Sequence, residues 1–483
     1  MKLSRIDELG DKYPVLLRSL RRRQGFGIAF VECSLAQATE LSRRLPEDLP
    51  TKHIETLELN EPIDELYPVV AALPNPGKID ILLVVGLEKS VVPYIREGET
   101  GYGGVGGYYQ RDTVPRIMGH LNMQRERFRD DFDICFVFLL PRFALNYVRH
   151  RAADFFDWRS GVYAMQRDEA SLAQESSRLL EDTDWDTYRS LTPVQRQERL
   201  LEIGDLIDAP LTGERKAQLW REKGRLLAVE EEYEEAIASW DKAVEFKPDL
   251  HQAWVNRGNA LDDLGRYEEA VASYDKAVEF KPDKHEAWYN RGVALGNLGR
   301  YEEAIASFDK AVEFKPDFHE AWVNRGVALG NLGRYEEAIA SYDKAVEFKP
   351  DDHQAWYNRG YALFNLGRYE EAIASYDKAI ETQPNDDETW YNRGYALFTL
   401  KRTEEALASY HRAIELNPNN ANAWYNTACL YAMQQNLDAA ITHLQKAIDL
   451  DPEYRNMAKT DTDFDCIRNC DRFLKLLDED ADG

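Results

Sequence analysis

The sequence predicts two architectures in one chain: an α/β N-terminal domain with a mostly parallel sheet, then an all-α superhelical solenoid of repeated helix pairs. Three observations predict it. Over residues 1–165, apolar runs of strand length alternate with amphipathic helical runs, the pattern of a sheet covered by helices. Tryptophan then recurs every 34 residues, at Trp220, Trp254, Trp288, Trp322, Trp356, Trp390 and Trp424, and proline follows at the same spacing from Pro248 to Pro452. Seven units of 34 residues fill 217–454, and self-similarity at such a period marks stacked supersecondary units.

Residues 1–24 read as one or two helices ending in the basic run Arg21-Arg22-Arg23. Strands are expected at 26–32, 54–59, 79–86, 134–140 and 161–165. The runs at 79–86 and 134–140 are almost wholly apolar, as strands buried on both faces are. Helices are expected at 35–45, 62–73, 113–132 and 142–155, the second opened by Pro62, whose missing N–H does no harm in a first turn. A glycine-rich loop covers 98–107. Residues 166–216 read as a helical connector, with helices at 171–180 and 194–207 and a turn-rich break at 208–213.

Each repeat reads as two helices. In the unit 319–352, Trp322, Gly326 and Leu329 share one helical face. Gly333 supplies the left-handed residue that ends the helix, and Glu336 and Glu337 favour the positive end of the next. Ala338, Tyr342 and Ala345 make its buried face, and Pro350 stops the run. Ala338 and Gly326 are small where two helices must approach closely. Residues 455–477 are expected to cap the array, with Phe464, Ile467, Phe473, Leu474 and Leu477 at roughly helical spacing. An acidic tail, 478–483, follows.

Tryptophan stands at the fourth position of every unit, glycine at the eighth in six of them, and alanine at the twentieth from Ala236 to Ala440. This pattern resembles the tetratricopeptide repeat. The tryptophans, alanines and prolines are therefore read as core and punctuation. The resemblance implies an inner, concave wall of first helices that binds protein or peptide through the second, fifth, sixth, ninth, twelfth and thirteenth positions. The sixth is Asn256, Asn290, Asn324, Asn358, Asn392 and Asn426, with Glu222 departing in the first unit. Asparagine both donates and accepts, so such a row suits an extended backbone. Aromatic side chains at the other positions are Tyr289, Tyr357, Tyr361, Phe364, Tyr391, Tyr395, Phe398 and Tyr425. Tyrosine combines apolar area with a polar tip, which suits a binding hot spot. The lysine clamp that reads C-terminal carboxylates is absent, since Val255, Val323 and tyrosines hold the fifth position. An internal or hydrophobic segment, docked near residues 353–430, is the expected ligand.

The 483 residues carry a net charge of −26. Residues 217–483 contribute 31 basic against 51 acidic side chains, so −20, a field that repels phosphate backbones and argues against nucleic acid as partner. Cys33, Cys135, Cys429, Cys466 and Cys470 make no disulfide framework and no zinc pattern, which fits a reducing cytoplasm. Residues 1–10 lack the apolar core of a signal peptide, and no apolar run is long enough for a helical membrane span.

An α/β domain invites a search for nucleotide chemistry. A phosphate loop needs G-x-x-x-x-G-K-[ST] after the first strand, but Glu32-Cys33-Ser34-Leu35-Ala36 offers no glycine, no lysine and a carboxylate. The run 81–88 has the form of a Walker B strand, with Gly86 where a magnesium-binding aspartate is wanted and Glu88 as the nearest acid. Gly101-Tyr102-Gly103-Gly104-Val105-Gly106 matches G-x-G-x-x-G without the strand and helix that would make it a dinucleotide site. Tyr102, Tyr108 and Tyr109 in this loop are candidate partner contacts. His251, His285, His319 and His353 open four units, read as a duplicated helix start with a metal ladder as the alternative. No catalytic constellation, cofactor or metal site is expected.

The segment Leu121-Asn122-Met123-Gln124-Arg125-Glu126, the strand 135–140 with Pro141, and Asp154-Phe155-Phe156-Asp157-Trp158-Arg159-Ser160-Gly161 together resemble a bacterial domain. It is similar to the degenerate relatives of STAND signalling ATPases that lack the phosphate loop, common in cyanobacteria. The resemblance covers about residues 10–165. It implies a domain that does not hydrolyse nucleotide and is joined to interaction repeats in signalling or conflict systems. Phe155 and Trp158 are expected in the core, and Arg125 and Arg159 in buried ion pairs. Three functions remain open: a non-enzymatic adaptor or sensor, a nucleotide-regulated switch, and an assembly scaffold.

Overall fold

A computed structural model of the chain describes residues 10–95, 114–181 and 184–478. The glycine-rich loop with its tyrosines, and nearly all of the acidic tail, lie outside the described residues. The chain divides into two compact units, residues 1–260 and 261–483.

The first unit holds a five-stranded sheet in the order β2-β3-β4-β1-β5. The strands are β1 (Gly27–Glu32), β2 (Ile54–Glu58), β3 (Ile81–Val85), β4 (Cys135–Leu140) and β5 (Gly161–Ala164), and every pairing is parallel. Both faces are covered, which is why the central strands read as unbroken apolar runs. Ile28, Phe30, Leu82, Val84, Phe136 and Phe138 face one core. It is closed by α3 (Leu66–Ala71), α4 (Arg116–Asp131), α5 (Arg142–Arg151) and α6 (Ala153–Asp157). Ala29, Val31, Ile81, Leu83, Val137 and Leu139 face the other, beneath α1 (Tyr13–Arg22) and α2 (Leu35–Asp48).

Three expectations are corrected here. The helix expected from Pro62 begins at Leu66, which places Pro68 in the first turn instead of the interior, where its ring would break a hydrogen bond. The helix expected at 142–155 breaks at Ala152, and Asn122 bridges the break by accepting from Phe155 N (3.0 Å) and donating to Arg151 O (3.4 Å). Arg125 and Arg159 do pair, with Asp154 (3.7 Å) and Asp157 (3.1 Å), but on the surface. Phe155 is buried as expected, and Trp158 only partly.

The connector is packed rather than extended: α7 (Glu169–Leu180), α8 (Trp185–Ser190) and α9 (Pro193–Ile207) all touch α10 (Gly213–Val229) or one another. Glu222 of α10, which departs from the asparagine row, is fully buried. It accepts from Tyr188 Oη of α8 (2.7 Å) and from Arg221 Nε (2.7 Å), with Arg225 at 3.3 Å. A buried carboxylate persists only with such partners, so Glu222 fastens the connector to the first repeat. That repeat is completed by α11 (Tyr233–Phe246), and α12 (His251–Asp263) opens the next.

The second unit continues with α13 (Tyr267–Phe280) and then helix pairs: α14 (His285–Asn297) with α15 (Tyr301–Phe314), α16 (His319–Asn331) with α17 (Tyr335–Phe348), α18 (His353–Asn365) with α19 (Tyr369–Thr382), α20 (Asp387–Thr399) with α21 (Thr403–Leu416), and α22 (Ala421–Met433) with α23 (Leu437–Leu450). Gly299, Gly333 and Gly367 take φ near +73° between the paired helices. The eighth-position glycines permit close approach: a Cβ on Gly326 would lie 2.5 Å from the Tyr342 ring, and on Gly360 2.6 Å from Tyr376.

The repeat tryptophans correct a further expectation. They are only half-buried, and the indole N–H of Trp288, Trp322, Trp356, Trp390 and Trp424 each donates to the proline carbonyl six residues earlier, at 2.8–3.0 Å. They latch the turn between repeats. The core aromatic is instead the residue stacked on the glycine: Phe308, Tyr342, Tyr376 and Tyr410.

Arginines at the seventh position form a clip with the same period. Arg325 Nε donates to Asp309 (2.6 Å) in the preceding repeat and Nη1 to buried Ser341 (2.6 Å) in its own. Arg291, Arg359 and Arg393 repeat this with Asp275, Asp343 and Asp377. The array ends on α24 (Glu453–Thr460) and α25 (Asp471–Asp478), whose Tyr454, Phe473, Leu476 and Leu477, together with Phe464 and Ile467, share a core with α22 and α23.

Candidate interaction surface on the first helices

Within the second unit, the first helices of consecutive repeats touch: α14 meets α16, α16 meets α18, and α18 meets α20. The second helices do not approach one another as closely. Closer spacing on one side bends a stack toward that side, so the first helices form the inner wall.

Within the second compact unit the asparagine row lies half-buried along this wall, from Asn290 to Asn426; Asn256, in the first compact unit, is itself half-buried. Its amides are largely engaged. Asn324 Nδ2 donates to Tyr289 Oη (2.9 Å), Asn392 to Tyr357 Oη (3.0 Å), and Asn426 to Tyr391 and Tyr410 (both 3.3 Å). Asn358 Nδ2 is buried with no partner, because Val323 stands where its neighbours have tyrosine. The fifth-position tyrosines are thus mortar between repeats. Tyr289 also packs on Phe318 (4.9 Å) and Phe308 (6.0 Å), and burial raises the pKa of Tyr289, Tyr357 and Tyr391.

The ninth position is different. Val327, Tyr361 and Tyr395 are 38%, 52% and 40% exposed on α16, α18 and α20, so they form an open apolar and aromatic stripe. Phe364 braces it, with its ring 5.2 Å from Tyr395 and 5.1 Å from Tyr369, and Tyr391 stacks 6.4 Å from Tyr395. Phe398 is half-buried on the same wall. Tyr425 is not available there: it is 5% exposed, covered by Tyr454 (4.8 Å) and Phe464 (5.7 Å), with its hydroxyl donating to Asp461 (2.7 Å). The capping segment closes the wall at this end.

Two acids on the wall went unnoticed as individual residues in the sequence. Glu388 accepts from Tyr357 Oη (2.6 Å), and Glu320 lies close enough to Tyr289 to raise its pKa. Their signal was the second position of the repeat, acidic or amide in every unit from 251 to 454.

The first unit offers a second candidate. α2 leaves β1 toward one face and α5 leaves neighbouring β4 toward the other, so the carboxyl ends of these strands form the crevice where open α/β sheets bind ligands. The cavity there is about 60 Å³, lined by Glu32, Ser34, Arg142, Arg167, Glu175 and Asp205 among others. That is room for a few waters rather than a nucleotide. Ser34 and Gln37 form a capping box on α2, so the helix N-terminus is occupied by its own side chains. Glu88, after β3, is 1% exposed with both carboxylate oxygens unpartnered, and burial pushes its pKa up to about 7. Burial also pushes Asp205 up to about 6.

Among the described residues, one group could hold a metal: Cys429, Asp461 and Asp463, whose ligand atoms lie within 4.8 Å of one another. The repeat-opening histidines face carboxylates instead, such as His353 to Asp386 (3.2 Å). Among the described residues, no helix is long and apolar enough to cross a membrane.

The tetratricopeptide repeat family matches residues 221–285, 255–317, 299–353 and 323–387, and again 388–420 and 421–454. No curated protein sequence matches the chain. Solved structures similar to it include YrrB, a TPR protein with an unusual peptide-binding site, at 27% identity over 38% of this chain and 95% of that one (TM-score 0.35). MamA from Desulfovibrio magneticus RS-1 is 24% identical over 35% and 96% (TM-score 0.34). The C-terminal part of a TPR protein from Cytophaga hutchinsonii is 20% identical over 50% and 98% (TM-score 0.43). Residues 221–454 of this chain are an array of tetratricopeptide repeats.

Proposed function

We propose that this protein is a non-enzymatic adaptor whose repeats hold an extended segment of a partner protein against the first helices, near residues 353–430. The observation that carries this reading is the stripe Val327–Tyr361–Tyr395. These side chains are exposed although glycine, alanine and the stacked aromatics already fill the core. Large aromatics left open in register on successive helices offer the area and polar tips of a binding hot spot. The engaged asparagine amides leave carbonyl oxygens as acceptors for a ligand's N–H groups.

In this reading the α/β unit docks or relays the binding event, as in the inactive STAND relatives that residues 10–165 resemble, in bacterial signalling or in an assembly. It is not a nucleotide switch: Glu32, the self-capped α2 and the small cavity are all unfavourable to a triphosphate. Five free cysteines, three of them buried, suit a cytoplasmic setting. Selection of a random peptide display library on the full chain is the test. Peptides are expected that bind wild type and are lost on Tyr361→Ala with Tyr395→Ala at unchanged circular dichroism. Enrichment indifferent to both substitutions would refute the assignment.

A further inference from the structure

We infer that the inner wall between Tyr357 and Tyr395 takes a segment bearing lysine or arginine, a refinement that rests on the adaptor reading above. The charge on the wall is of one sign. Apart from the opening histidines His285, His319 and His353, which face carboxylates, the first helices α14, α16, α18 and α20 carry one basic residue each, Arg291, Arg325, Arg359 and Arg393, and α22 carries none. All four arginines are locked between second helices by an aspartate and a serine, so none serves the wall. Among the acids of the same helices, Glu286 pairs with Lys284 (3.0 Å) and Glu320 with His319 (3.0 Å), whereas Glu388 meets no cation among the described residues. Glu320 and Glu388 are exposed, and Glu388 receives one hydrogen bond, from the Tyr357 hydroxyl. The outer helices differ, since their lysines pair with their own glutamates, as Lys344 does with Glu347 (2.7 Å).

Geometry places the acid beside the aromatics. Glu388 accepts from Tyr357 Oη (2.6 Å), and Tyr357 lies one helical turn before Tyr361 on α18, so carboxylate and open ring share one stretch of the wall. An alkylammonium or guanidinium lying over Tyr361 or Tyr395 would meet the negative face of the ring, with Glu388 within reach of its N–H groups. The aliphatic stem of the same side chain would cover the apolar stripe that Val327 and Phe364 continue. Acidic segments would meet Glu388, which has no cationic partner among the described residues, so the wall discriminates as well as binds.

The test uses the full chain and three fluorescent peptides of repeating Leu-Ser-Xaa, with Xaa lysine, glutamine or glutamate, titrated by anisotropy. The lysine peptide should bind about tenfold or more tighter than the glutamine peptide, and the glutamate peptide least. Tyr361→Ala with Tyr395→Ala should weaken the lysine peptide about tenfold. Glu388→Gln should weaken it several-fold, while Glu347→Gln, an equal charge change on an outer helix, should not. Equal binding of lysine and glutamine peptides, still dependent on the two tyrosines, would overturn the cationic preference and leave the adaptor wall standing. Lysine-peptide binding equally affected by both glutamate variants and indifferent to the tyrosines would be attraction to the net charge of −26, and would overturn both. Absence of binding by all three would also overturn the inference.

Discussion

Two glycines one helical turn apart make the packing argument testable with a single kind of substitution. Gly326 and Gly330 both lie in α16. A Cβ on Gly326 would sit 2.5 Å from Cε1 and 2.7 Å from Cζ of buried Tyr342, closer than real carbon contacts allow, whereas a Cβ on Gly330 meets nothing within 4 Å. Alanine gains about 0.5–1 kcal/mol over glycine in a helix interior, where Gly326 sits, and no more than that in the last turn, where Gly330 sits. Overpacking costs about 1–3 kcal/mol and applies only to Gly326. Gly330→Ala should therefore stabilise by up to about 1 kcal/mol. Gly326→Ala should fall below it by about 1–3 kcal/mol, and because the propensity gain is at least as large at interior Gly326, that difference is a lower bound on the clash. Urea unfolding followed by circular dichroism, with both variants in the full chain, reads it. Variants within about 0.5 kcal/mol of each other, inside ordinary mutational scatter, would refute the close helix approach.

Glu88→Gln should alter the pH dependence of stability. Burial holds Glu88 near 7 against an ordinary 4.5, so the folded state takes up a proton in that window and loses stability as pH rises through it. Relative to the glutamine variant, wild type should lose about 3 kcal/mol between pH 5 and pH 8, and parallel curves would count against the buried carboxyl. Deleting residues 453–483 should lower the melting temperature and promote aggregation, because Tyr425, Leu444 and Ile448 would lose the cover of Tyr454, Phe464 and Phe473. An unchanged melting curve would show that the array needs no cap. Calorimetry with magnesium and ATP should give no heat of binding, and a micromolar Kd would restore the nucleotide-switch reading.

The repeats were legible because one pattern recurs: a glycine that admits an aromatic in six of the seven units, an alanine at each crossing in all of them, and a left-handed turn that glycine marks in four. The strands were legible because a parallel sheet covered on both faces demands apolar residues at every position, as Cys135–Leu140 shows. What escaped depended on partners far along the chain. Tyr425 looks like its counterpart Tyr391, and only the fold of residues 453–478 over it decides that it is buried. The tryptophans share the residue type of a core position, yet their indole N–H groups seek the proline carbonyls, which leaves them half-buried. Helix α8 is six residues long, too short for periodicity to reveal, although Asp184 caps it through Thr187 N (2.6 Å). Glu222 read as a departure in the asparagine row; its meaning lay in Tyr188, 34 residues away.

The central claim is that a partner segment lies along the inner wall of first helices, and site-specific photo-cross-linking measures this directly. Benzoylphenylalanine placed singly at positions 361, 395, 310 and 344 of the full chain would be irradiated with the tightest peptide from the display selection. Cross-links confined to 361 and 395 are the predicted result. Cross-links of equal yield from 310 and 344, on the outer helices, would contradict it.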